Sequence, residues 1–149
     1  MYDKILVPLD MSDRAECALS EVEKISESGV RGKVTLLHVV DVPVAWMPEG
    51  IDVAAVTKVQ VDKAKEYLSR VRDRLVAKGI ETDMEVREGR AAEGIIEFAV
   101  NNRFDLIVIG THGYTGMKQL MFGSVALRVL HDAHIPVLLI RAEPRGKKE

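Results

Sequence analysis

Between residues 110 and 124 the chain places glycine at 110, 113, 116 and 123, and serine directly after the last of these. Glycine lets a backbone pass through positive φ and lets another group approach the main chain closely. A short apolar run, Leu106 to Ile109, precedes the first glycine, and an apolar segment with helical spacing follows Gly123-Ser124-Val125 and ends near His131. A strand that runs into a glycine-rich loop, followed by a helix start with unpaired N–H groups and the positive end of the dipole, has the makings of a phosphate cradle. Its spacing is neither of the two common phosphate motifs, for there is no GxxxxGK[ST] and no GxGxxG after a strand.

A second group with chemical potential stands near the start. Lys4 to Leu9 reads as a strand buried on both faces, with Pro8 at its end and Asp10 at the mouth of the sheet. Asp10 is either a turn residue or a carboxylate that accepts hydrogen bonds from a ligand. Ser12 is expected to cap a helix carried by Ala15, Ala18, Leu19, Val22 and Ile25, with Gly29 as its stop. Cys17 falls on the polar side of that helix and reads as an inert flank residue.

The remaining elements alternate. Lys33 to Val40 is a second apolar strand, in which His38 is expected to be packed and hydrogen-bonded. Asp41 to Asp52 is a loop, with Trp46 and Met47 expected to pack on the domain. Val53 to Lys78 is an amphipathic helix through Val61, Ala64, Leu68, Val71 and Leu75, ended by Gly79. Thr82 to Arg87 is a half-exposed edge strand, Ala91 to Val100 a short helix, Asp105 to Gly110 the fourth strand and Val137 to Arg141 the fifth. The order β-α-β-α-β-α-β-α-β predicts a parallel sheet with helices on both faces. Residues 1–142 read as one domain, and Glu143 to Glu149 as a disordered charged tail.

Composition narrows the function classes. With 21 basic and 23 acidic residues the net charge is −2, which offers no electrostatic pull toward nucleic acid or a membrane surface. One cysteine excludes an internal disulfide, and no apolar run is long enough for a bilayer or resembles a secretory signal, so the expected location is the cytoplasm. His131 and His134 pair with no Cys or Asp at a metal-ligand spacing.

The pattern Gly110-x2-Gly113-x9-Gly123-Ser124 resembles the nucleotide-binding signature of the universal stress protein family, in its ATP-binding branch. KILVPLDMSDRAECAL, TLLHVVD and HIPVLLIR resemble, in order, its first strand with acidic turn and helix, its second strand and its last strand. The resemblance spans residues 2 to 141 and implies a Rossmann-like, adenine nucleotide α-hydrolase-like sheet of order 3-2-1-4-5. Strands one and four would then meet where the order reverses, the place where such sheets bind ligands.

The resemblance also implies roles. Pro8 and Asp10 match the turn that holds adenosine, and Val39 matches a position that reads the adenine edge through its backbone, although nothing in the residues themselves marks Val39. Gly110, Thr111, His112, Gly113, Tyr114, Thr115 and Gly116 would wrap ribose and phosphates, with Lys118 a candidate for neutralising charge. Gly123, Ser124 and Val125 would donate backbone N–H groups, and Ser124 its hydroxyl, to phosphate oxygens. The implied ligand is ATP, with Mg2+ or Mn2+ held through the phosphates and water rather than by side chains. With no Walker lysine and no kinase-type acid set, slow hydrolysis or none is expected. The alternatives are an adenylylating or ATP-hydrolysing enzyme of the adenine-nucleotide α-phosphate group, and a protein acting through contacts alone. The apolar last strand, Val137 to Arg141, implies a homodimer through paired edges, with a further protein partner of unknown identity.

Overall fold

The computed structural model describes residues 2–12, 15–111 and 123–141. The expectations for His112 to Gly116, Lys118 and the tail fall outside these residues. Five strands form one sheet: β1 (Lys4–Pro8), β2 (Lys33–Val40), β3 (Thr82–Glu88), β4 (Leu106–Thr111) and β5 (Val137–Arg141). All neighbours are parallel and the order is β3-β2-β1-β4-β5. Four helices connect them: α1 (Cys17–Glu27), α2 (Val53–Ala77), α3 (Ala91–Asn101) and α4 (Ser124–Asp132).

Both faces of the central strands are covered, which is why β1, β2 and β4 read as nearly unbroken apolar runs. On one face Ile5, Val7, Leu36 and Val108 pack with Leu19 and Val22 of α1 and with Leu68 and Leu75 of α2. On the other, Leu6, Leu37 and Ile107 pack with Ile95 and Ala99 of α3 and with Ala126 and Val129 of α4. The expected edge strands are the observed ones, β3 and β5.

Two expectations need correction. The first helix starts at Cys17, not just after Ser12. Asp10 instead closes an Asx turn, accepting from the Ser12 amide at 2.9 Å and the Ser12 hydroxyl at 2.5 Å. Met11 between them sits at φ +66°, which no helix accommodates. Ser12 still acts as a cap of a kind, its Oγ accepting from the Ala15 amide at 3.2 Å, but what it caps is a turn. Trp46 does not pack on the domain: it ends a short 3-10 turn, Val44–Trp46, and is 88% exposed. Every buried residue of the 25-residue α2 lies between Ala64 and Leu75. A helix of that length reaches about 37 Å, whereas the eight residues of β2 span about 26 Å. The first turns of α2 and the loop before them therefore overhang the sheet, and Trp46 finds nothing beneath it.

The centre of the sheet is held by an unusual junction. β1 and β4 are registered only at Ile5–Leu106 and Leu6–Ile107. Their amino ends are locked by Asp105, whose carboxylate accepts from the Asp3 amide at 3.0 Å and the Lys4 amide at 3.1 Å, while its own amide donates to the Lys4 carbonyl at 3.0 Å. Beyond Leu6 and Ile107 the strands part. Asp105→Ala removes a charged acceptor from two backbone donors and is expected to lower unfolding stability by about 1.5–3 kcal/mol. Urea unfolding should show a lower midpoint at an unchanged slope.

Candidate functional site

Where β1 and β4 part, at their carboxyl ends, lies a cavity of about 150 Å³. Pockets for drug-sized ligands run from roughly 300 Å³ upward, while an apolar cavity of about 150 Å³ takes one benzene-sized ring. The enclosed part therefore suits a single flat ring, and anything larger attached to it must lie outside, past Asp10 and Gly110.

The lining draws together residues far apart in sequence. Pro8 and Asp10 come from the end of β1, His38 and Val39 from β2, and Gly110 and Thr111 from β4. Val125 closes the cavity from the first turn of α4, and Ile95 from α3. Pro8, Asp10, Val39, Gly110, Thr111 and Val125, all singled out in the sequence, thus meet at one place. Gly123 and Ser124 do not line the cavity; they form the N-cap and first residue of α4, immediately before Val125. A glycine cap offers no side-chain acceptor, so the first-turn amides of Ser124, Val125 and Ala126 depend on an acceptor from outside the helix. The Thr111 hydroxyl is committed elsewhere, donating to the Ile140 carbonyl at 3.3 Å and so tying β4 to β5.

Two residues shape the cavity without having been marked by the sequence. Gly94 lies in the middle of α3, where glycine costs about 1 kcal/mol relative to alanine. A Cβ there would stand 3.1 Å from both methyl groups of Val39. The missing side chain lets α3 press against β2 at the residue that walls the cavity, and a glycine inside an otherwise apolar helical pattern was the available signal. His38 is half-buried and hydrogen-bonded, as its strand position suggested, but it also lines the cavity. Its Nδ1 lies 2.7 Å from the Leu9 carbonyl oxygen. A carbonyl only accepts, so this contact places a proton on Nδ1.

Behind the Asp10 turn, the Tyr67 hydroxyl donates to Glu16 Oε1 at 3.1 Å and joins α2 to the start of α1. Burial, with the charge of Glu16 beside it, holds the Tyr67 phenol well above its ordinary range, so it remains a donor. Cys17 is half-buried with Sγ 3.8 Å from the Ile140 carbonyl, and burial pushes its thiol up, which favours the inert thiol form over thiolate. Among the described residues no group of three or more His, Cys, Asp or Glu is arranged to hold a metal ion. Nor is any of their helices long and apolar enough to cross a membrane.

Known proteins share this fold. Residues 1–141 match the model of the universal stress protein family. Universal stress protein MJ0531 of Methanocaldococcus jannaschii is 34% identical over 150 aligned positions, covering 100% of this chain and 86% of the relative. The solved structure of MJ0577 superposes with a TM-score of 0.82 at 30% identity, covering 97% of this chain and 99% of that one. A universal stress protein from Archaeoglobus fulgidus, solved in complex with dAMP, superposes at 0.61 with 26% identity, over 93% and 98% of the two chains. With the sheet order and the match over residues 1–141 in agreement, this chain belongs to the universal stress protein family.

Proposed function

We propose that the protein is an ATP-binding stress-response or signalling module that hydrolyses ATP slowly or not at all. The observation that supports this reading is the cavity at the β1–β4 divergence, sized for one ring, with a carboxylate at its mouth and beside it a helix start whose glycine N-cap supplies no side-chain acceptor. Adenine would enter between Val39 and Ile95 and read the β2 backbone at Val39. Asp10 would accept from ribose hydroxyls, and the amides of Ser124, Val125 and Ala126 would meet phosphate oxygens, helped by the helix dipole. That a relative was solved with dAMP supports an adenine nucleotide as the ligand class. The donor set fits this ligand, being backbone N–H groups for phosphate and apolar walls for the base. A Mg2+ or Mn2+ ion would be held through the phosphates and water and would neutralise their charge. We place the protein in the cytoplasm and its dimer contact at the β5 edge, Val137–Arg141, whose first four residues are half-buried in the single chain.

Thermal unfolding with excess Mg-ATP tests the site. Ligand at a hundred times its dissociation constant adds about 2.7 kcal/mol, a rise of roughly 5–10 °C for a domain of this size. GTP at the same concentration should give a much smaller rise. Gly123→Asp separates binding from folding: with φ −53° the position accepts any L-residue. Its carboxylate would cap the first-turn amides, raising stability by a few tenths of a kcal/mol, while repelling phosphate. The ATP-dependent rise should vanish in a variant that melts no lower than the wild type. An equal rise in both proteins would place ATP elsewhere.

Gly94→Ala is expected to weaken ATP binding about tenfold by pushing Val39 into the base slot, with the melting point held or raised by the better helix former. Val39→Ala in the same chain should recover most of the affinity, as calorimetric titration would show. Phosphate release by the wild type should stay close to that by Gly123→Asp; sustained turnover well above it makes the protein an enzyme. Light scattering at micromolar concentration should return twice the chain mass of 16.5 kDa, a single-chain mass removing the β5 dimer.

A further inference from the structure

We infer that His38 is a positioning residue that sets the Asp10 carboxylate for a ligand's ribose hydroxyls, an inference resting on the nucleotide reading above. Pro8 has no N–H, yet the chain stays attached to β2 for one residue more. The Leu9 amide donates to the Leu37 carbonyl at 2.8 Å, and the Leu9 carbonyl lies 2.7 Å from Nδ1 of His38. Both polar groups of the Leu9 backbone are thus tied to consecutive residues of β2. This is the last point at which the chain is bound to the sheet before Asp10. Immediately afterwards Met11 takes φ +66° and Ser12 turns back to the Asp10 carboxylate with two hydrogen bonds. A non-glycine residue at positive φ persists only where its surroundings over-determine it. The His38 bond is one of those determinants, and it is made by a side chain lining the same cavity as Asp10.

The chemistry required of residue 38 is therefore a donor at the place of Nδ1, not merely volume in a strand. Asparagine can put an amide N–H at that place. Leucine fills space without a donor, and glutamine carries its amide farther out, where Nε2 stands. Without the donor the Leu9 carbonyl turns to water, and part of the binding energy goes into fixing the Asp10 turn on each encounter.

The test titrates Mg-ATP and Mg-2′,3′-dideoxy-ATP by calorimetry into the full-length wild type, His38→Asn and His38→Leu, with His38→Gln in place of leucine if that variant does not fold. Dideoxy-ATP lacks the hydroxyls that Asp10 would receive. The expected result is a loss of about tenfold for ATP with His38→Leu, with dideoxy-ATP changed by less than about twofold, and His38→Asn near wild type for both. In an Asp10→Ala background His38→Leu should add nothing, because a residue acting through another has no separate effect once that other is gone. Equal losses for both nucleotides, an unchanged ATP affinity in His38→Leu, or additive losses with Asp10→Ala would each overturn the assignment. Wild-type protein that takes up neither nucleotide would fail at the nucleotide reading itself and carry this inference with it; retained wild-type binding with insensitive His38 variants would fail here alone.

Discussion

The pairing of β1 with β4 is the constraint on which the rest of the molecule depends. Right-handed crossovers carry β1, β2 and β3 outward in one direction, and the chain must then return across the sheet to lay β4 on the other side of β1. The helices of the two halves consequently fall on opposite faces, α1 and α2 on one and α3 and α4 on the other. The pairing itself is brief, registered at Ile5–Leu106 and Leu6–Ile107 and locked at its amino end by Asp105. By contrast β2 and β3 are in register from Val34–Thr82 to Val40–Glu88. A short ladder clamped at one end opens at the other, and the cavity occupies that opening.

The cavity's character follows from what such an opening can contain. Its walls are core residues reached from the side, so Leu37, Val39, Ile95 and Ile109 present apolar surface suited to a flat ring. Its rim is where strands end and α4 begins, so its polar groups are largely backbone groups that the regular structure leaves over. Such groups are placed by the fold rather than by rotamers, and ordering them costs a ligand little. The loop between β1 and α1 is the exception, because it carries a side-chain carboxylate on an irregular turn. This turn is where auxiliary bonds gather, from Ser12 within the turn, from His38 at its base and from Tyr67 through Glu16 behind it.

Much of the scaffold was legible in the sequence because burial on both faces leaves a strong mark. The runs at 4–9, 33–40 and 105–110 and the spacing from Ala64 to Leu75 correspond to β1, β2, β4 and the buried half of α2. The start of α1 was not legible. A serine before a periodic segment looks the same whether it caps a helix or a turn, and the positive φ of Met11 has no signal in a methionine. Trp46 was misread because a large aromatic is ordinarily buried, and nothing local reveals that α2 outreaches the sheet. In the candidate site, residues marked by their type were visible, such as Asp10 and Gly110. Residues that act by position were not. Val39 looked like any core valine and was reached only through family resemblance, while Gly94 and His38 acquire meaning from neighbours 55 and 29 residues away in the chain.

In the proposed reading the site would hold a ligand rather than transform one. Accelerating phosphoryl transfer requires charge placed where it develops in the transition state and a group that orients the attacking water. Among the described residues lining the cavity Asp10 is the one carboxylate, and the Ser12 amide and hydroxyl both bond its Oδ1. These hydrogen bonds fix the direction of the carboxylate, which suits a group that would receive hydroxyls. Backbone amides at the start of α4 would stabilise phosphate in the ground state and the transition state to similar extents. Such uniform binding tightens occupancy without lowering the barrier between bound states. In the proposed reading, filling the site would change the surface around it, and the overhanging, largely exposed loop from Val44 to Ile51 stands at the same carboxyl edge of the sheet as the cavity.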